Sequence, residues 1–394
     1  MPLPAPTPLA SRATVALGRT GMHFPADALR ETGDTGETGC APVVMHRLIG
    51  TDGATDEDPR EMLAATAEAL ESAGHESAWG AGCEVRTTAE TEAFAAAGFT
   101  WFSFALGGEI DSRASLLSLD ELDAAVVALE DSGCYQPEWH TRYTDREWQL
   151  ASGRNLRFAD ETLARVAVKF GRALAHAAQL QQAIRTLWSG HGAAPDIELY
   201  FAGHRYPWNE EEFLFLTLES ARSGLCPVCI SPSLGMAWQP GAEYAGGEGE
   251  IESLLVSAGE IAALAGSLKV GVHHLAGKER LVSSAKRFVG PRIHLDFEEN
   301  AWLAALDDLA RLQPELFRRW LCVAQEMFPF AAGDKALAIT EEDIRILPQV
   351  EDADLSATFL ADVRGRQLLL STFPDVLRRE RILREAISAE PRPR

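Results

Sequence analysis

The amino-acid sequence predicts an α/β fold, a single TIM-like (β/α) barrel with N-terminal additions. Three observations lead there. Strand-like and helix-like segments alternate along the 394 residues, the pattern of a parallel sheet with helices outside it. About eight short runs are apolar and rich in β-branched or aromatic residues, as strands buried on both faces should be. Three of these runs carry histidine at or near their ends: Asp196 to His204, Leu268 to His274, and Pro291 through His294 to Phe297. In an α/β barrel the C-terminal strand ends surround one site.

Along the chain, residues 1–12 are rich in Pro and Ala and read as a loose arm. The segments Glu31 to Cys40 and Gly50 to Pro59 read as loops. Predicted strands are Val43–Gly50, Cys83–Thr87, Thr100–Leu106, Asp196–Gly203, Pro227–Ser233, Leu268–His274, Pro291–Phe297 and Arg366–Thr372. Predicted helices are Met62–Ala73, Leu119–Glu130, Asp160–Trp188, Glu210–Ser223, Ile251–Gly266, Trp302–Phe328 and Pro374–Ile387, with a break near Pro314. Gly241 to Gly249 is a glycine-rich loop suited to a lid, and residues 389–394 read as a frayed tail. No repeat or long linker divides the chain, so residues 1–394 read as one domain. A doubly wound open sheet is the alternative.

The net charge is −22 and spread along the chain. Nucleic acid and anionic membranes need a basic surface, so neither is an expected partner. No apolar run nears the roughly 20 residues of a membrane span, and the N-terminus does not read as a signal peptide. Six cysteines make no disulfide scaffold, and the cytoplasm is the expected compartment. A homo-oligomer is left open.

The strand-end residues carry the chemistry. His273 and His294 with Glu198 would suit a divalent cation such as Zn²⁺, Mn²⁺ or Ni²⁺. Asp296 follows His294 by two residues on the same strand face, and His204 closes the Glu198 run. His273 and His274 are adjacent, so only one can face the barrel interior. A basic segment, Lys278-Glu279-Arg280, follows the His273 run where it could clamp a carboxylate. Cys226-Pro227-Val228-Cys229 lacks the second pair of a zinc ribbon and enters a strand, so both cysteines read as buried and structural. Trp101, Trp208 and Trp238 could stack on a sugar ring but read as packing. No GxSxG elbow or HExxH is present.

From about Trp79 to Phe373 the chain resembles the tagaturonate epimerases, metal-dependent barrel enzymes that epimerise keto-hexuronates. Gly98-Phe99-Thr100-Trp101-Phe102 followed by Ile110-Asp111 is similar to the family's "aGFT.FT…ID" segment, and Asp196-Ile197-Glu198 to its "IEVSVDET" strand. Lys269 to Lys278 is similar to "isLHSGSDK", His294 through Leu306 to "HVKTAGTSWLEAL", and Arg366-Gln367-Leu368-Leu369 to the start of "RQ.LHVTYG". The resemblance implies functional roles for Glu198, His273, Lys278 and His294. It also marks departures. Ala105 and Gly108 stand where the family has aspartates, Ala202 and Gly203 replace an Asp-Glu pair, Gly277 replaces an Asp, and Leu370 a late His. His204, His274, Asp296 and Glu298 are new polar residues nearby.

The expected function is therefore metal-dependent epimerisation or isomerisation of a keto-sugar acid, tagaturonate- or fructuronate-like. A divalent cation would sit on His273, His294 and Glu198. Glu198, His204 and Asp296 are the catalytic candidates, the last two as proton carriers. Lys278, Arg280 and His274 would bind the substrate and its carboxylate. The alternatives are a non-catalytic homologue that binds a sugar acid or a protein partner, and a metal-dependent hydrolase or lyase on the same barrel.

Overall fold

A computed structural model describes residues 3–18, 40–47, 58–188, 193–201, 208–235, 239–244, 247–290, 292–332, 339 and 350–388. Eight parallel strands close into a barrel: β1 (Thr14–Gly18), β2 (Ala41–Arg47), β3 (Gly80–Val85), β4 (Trp101–Ala105), β5 (Asp196–Tyr200), β6 (Cys229–Ser231), β7 (Lys269–Val272) and β8 (Ile293–Asp296). Each strand pairs with its neighbours in sequence, and β8 closes on β1 through Thr14 opposite His294. Helices follow most strands and form the outer layer, and the main apolar core lies between them and the sheet.

Seven of the predicted strands lie in the barrel. The eighth, Arg366–Thr372, is a correction: it lies inside a helix, Val363–Arg379. Asp362 caps that helix by accepting the N–H of Arg364 at 2.9 Å. Its buried residues Leu369, Leu370, Phe373, Val376 and Leu377 fall at three- and four-residue spacing, which marks a helix face. The missing strand is β1, a five-residue run behind a Pro- and Ala-rich arm whose composition hides it. The helix break holds as predicted: Glu298–Leu312 ends at Gln313, and Pro314 opens the next helix, which runs to Ala332. These helices and Val363–Arg379 build a second apolar cluster around Trp302, Trp320 and Phe373.

The arm is also a correction. Described from Leu3 onward, it lies under the N-terminal end of the barrel. The N–H of Thr7 donates to the carbonyl of Trp79 at 2.9 Å, and the Trp79 indole donates to the carbonyl of Pro4 at 2.8 Å. Leu9 is buried with Val43, Met45 and Trp101 inside the barrel. Its N–H reaches the Asp196 carboxylate at 2.5 Å, and its carbonyl accepts from Lys269 Nζ at 2.8 Å. Pairing the backbone this way satisfies polar groups that burial would otherwise penalise. The tail at 389–394 and the loops at 31–39 and 50–57 lie outside the described residues. No helix among the described residues is long and apolar enough to cross a membrane.

Candidate metal centre

Glu198, His273 and His294 converge from β5, the end of β7 and β8. Each offers one ligand atom, and these atoms lie within 4.8 Å of one another. All three are buried. Parallel pairing causes the convergence: His294 lies opposite Gly271 on β7, and Glu198 opposite Cys229 on β6. Gly271 is required here, since a Cβ on it would lie 1.6 Å from the Ser231 hydroxyl.

Glu198 is held on both oxygens. Oε1 accepts from the Ser231 hydroxyl and lies 2.6 Å from His273 Nε2, while Oε2 accepts from the Trp101 indole at 3.3 Å. The other ring nitrogen of His273, Nδ1, lies 2.6 Å from Asp296 Oδ2. A carboxylate on the outer nitrogen is the arrangement that orients a ligating histidine. His294 uses Nδ1 on the Thr14 hydroxyl at 2.8 Å. Its Nε2 is buried and has no hydrogen-bond partner among the described residues. A buried ring nitrogen without a partner is costly in a protein interior, and a cation beside Glu198 and His273 would satisfy it.

The electrostatics suit a cation at Glu198 and His294, while His273 holds a proton that a cation would have to displace. Burial pushes the Glu198 carboxyl up, but His273, His294 and the Ser231 hydroxyl outweigh it and hold it well below the usual carboxylate range. Burial pushes His273 down, yet the Glu198 and Asp296 carboxylates raise it to about 10. Burial lowers His294 to about 4, with Glu198 the main opposing charge. Without a cation, one imidazolium sits between two carboxylates, with a neutral imidazole beside them. The neutral ring is the form that binds metals.

The remaining candidates lie at different distances from this centre. Asp296 joins it through His273, and its Oδ1 accepts the N–H of Glu298 at 2.7 Å. His274 turns away at a left-handed φ of 58°. Its Nε2 meets the Tyr200 hydroxyl at 2.8 Å and its Nδ1 meets Glu299 at 2.9 Å. Tyr200 in turn stacks on His273 with ring centroids 4.2 Å apart. Lys278 is buried; its Nζ donates to the carbonyl of Gln239 at 2.6 Å, and burial lowers it to about 8 against the opposing pull of Glu299 and Glu243. Arg280 is exposed in the first turn of the Glu279–Val289 helix. His204 and Trp238 lie outside the described residues.

Of the cysteine pair, Cys229 is buried beside Glu198, but Cys226 is exposed, not buried as expected. None of the six cysteines forms a disulfide among the described residues. Sequence reasoning missed Thr14, Trp101, Ser231 and Tyr200 as parts of the site. Strand alternation placed Tyr200 on the Glu198 face and so could have found it. Thr14 carried no such signal, because β1 itself was not recognised.

Comparison with known proteins agrees with the architecture. A sequence model of the UxaE family, described as tagaturonate epimerase, matches residues 5–388. A tagaturonate/fructuronate epimerase from Thermotoga maritima is 24% identical over 230 residues, covering 57% of this chain and 46% of the relative. The matched stretch thus spans less than half the length of that relative. Among solved structures, glycerol-bound fructuronate-tagaturonate epimerase UxaE from Cohnella laeviribosi aligns with a TM-score of 0.78 at 19% identity, covering 98% of this chain and 78% of that one. Its native form aligns at 0.75 and 20% identity, covering 98% and 81%. At such identities the likeness is one of fold.

Proposed function

The chain belongs to the tagaturonate epimerase family, and from that premise we propose that it is a cation-dependent epimerase of a keto-hexuronate, of the tagaturonate or fructuronate kind. The observation that carries the reading is the convergence of Glu198, His273 and His294 on one buried point, with His294 Nε2 left without a hydrogen-bond partner among the described residues. A divalent cation held there would act as a Lewis acid toward the substrate's carbonyl and a neighbouring hydroxyl.

The chain's own residues supply the rest. Thr14 holds His294 by Nδ1, so that Nε2 faces the other two ligands. Asp296 keeps the His273 ring in place and would carry a proton to or from the substrate. Lys278, four residues beyond the His273-His274 pair, would bind the substrate's carboxylate. Arg280, exposed two residues on, would assist it. His204 keeps its assigned role as an alternative proton carrier. The cytoplasm remains the expected compartment.

A second reading, a sugar-acid-binding protein without turnover, draws on Ala105, Gly108, Ala202 and Gly203, which stand where the family carries acidic residues. One incubation separates the two. The purified chain with tagaturonate and Mn²⁺, Zn²⁺ or Ni²⁺, followed by proton NMR in deuterated water, should form fructuronate, and a chelator should stop it. Exchange of a carbon-bound hydrogen during turnover would mark an enediolate route, and turnover without exchange a retro-aldol route. Binding without conversion at any of the three metals, Ni²⁺ included, would favour the second reading.

A further inference from the structure

We propose that Trp101 is a positioning residue for the cation site and that Lys269 ties it to the N-terminal arm, so that the closed end of the barrel is built into the geometry of the open end. The inference rests on the cation reading above. Trp101 sits on β4, 1% exposed, inside the barrel. Its indole N–H donates to Glu198 Oε2 at 3.3 Å. Its ring stacks on the imidazole of His294, with centroids 4.5 Å apart and planes 21° from parallel. One side chain thus touches two of the three ligands.

The two contacts do different things. Glu198 Oε1 is engaged by Ser231 and His273, and the indole N–H is the partner of Oε2 among the described residues. That donor sets the rotation of the carboxylate about its last bond. Thr14 pins one edge of the His294 ring, and the indole face sets the plane of that ring. Together they aim Nε2. Supporting contacts of this kind fix ligand orientation and typically change metal affinity about 10- to 100-fold when removed.

The indole is itself held from below. Lys269 Nζ lies over its ring at 5.0 Å from the centroid, a cation–π distance. The same ammonium donates to the carbonyl of Leu9, whose N–H donates to Asp196. Lys269, Asp196 and Leu9 are 1%, 2% and 3% exposed. A plug needed only to fill space would be apolar, because burying charged groups is costly. Here two buried charged side chains, bridged by the Leu9 backbone, place an ammonium against the indole that touches both Glu198 and His294.

The test is cation affinity of the full-length chain after chelator treatment, titrated with Mn²⁺ and with Zn²⁺ by calorimetry, alongside the melting midpoint of each cation-free protein. Trp101→Phe keeps the stack and loses the donor; its affinity should fall about 3- to 10-fold. Trp101→Leu loses both and should fall about 10- to 100-fold. Lys269→Met should weaken binding several-fold while both ligand contacts of the indole remain. Folded Trp101 variants that bind within about twofold of the unaltered chain would overturn the positioning role and leave the cation reading intact. Unchanged affinity in Lys269→Met would overturn the link to the arm. An unaltered chain that binds neither cation would overturn both readings. Should Trp101→Leu fail to fold, Trp101→Phe decides the matter.

Discussion

At the scale of single residues, the site depends on which polar atoms are satisfied and which are not. His294 Nε2 has no hydrogen-bond partner among the described residues, whereas Lys278 donates to Gln239 from a buried position that depresses it to about 8. The sign of that shift gives a prediction. Lys278 is cationic below about pH 8 and increasingly neutral above it, so its grip on a substrate carboxylate weakens as pH rises through that value. KM for a keto-hexuronate should rise between pH 7 and 9 with kcat less affected. Lys278→Met should raise KM at pH 7 and remove that rise; a KM independent of pH in the unaltered chain would refute the assignment. Much of the site was legible in the sequence because Glu198, His273 and His294 sit at the ends of apolar runs, where a barrel gathers its chemistry. The supporting residues were not. Thr14 lies 280 residues from the ring it holds, and Trp101 reads as ordinary packing until its neighbours are known.

At the scale of elements, the barrel was legible where strands are apolar and flanked by helices of clear period. It was not legible at β1, which is short and preceded by prolines, nor at Val363–Arg379, where consecutive leucines mimic a buried strand. Strand content that looks featureless in sequence still carries constraint. A Cβ at position 271 would meet Ser231 Oγ at 1.6 Å and Cys229 Sγ at 3.1 Å. Gly271→Ala should therefore destabilise the chain by about 1–3 kcal/mol through overpacking, and should weaken cation binding by displacing the hydroxyl that Glu198 accepts. Gly249→Ala, on a helix with open space around the new methyl, should leave both unchanged or slightly raise stability. Denaturant melts and cation titrations of the two variants check this pair. Equal effects would mean that Gly271 is not a packing determinant of the site.

At the scale of the whole molecule, three apolar clusters divide the labour among the described residues. One lies between sheet and helices, a second gathers the C-terminal helices around Trp302, Trp320 and Phe373, and a small third one fills the barrel around Leu9 and Trp101. The arm closes one end of the barrel and the ligands collect toward the other, with Trp101 between them. A ligand that binds only the folded chain stabilises all of it by mass action, so the cation site is tied to the integrity of the whole barrel. The most direct measurement of that site is an anomalous difference map from crystals of the full-length chain grown with Mn²⁺ or Zn²⁺. A cation held by these residues gives a peak within coordination distance of Glu198, His273 and His294, with His294 Nε2 pointing at it, and no such peak in crystals of His294→Ala. Crystals that show ordered cation elsewhere and none among these three side chains would contradict the cation reading.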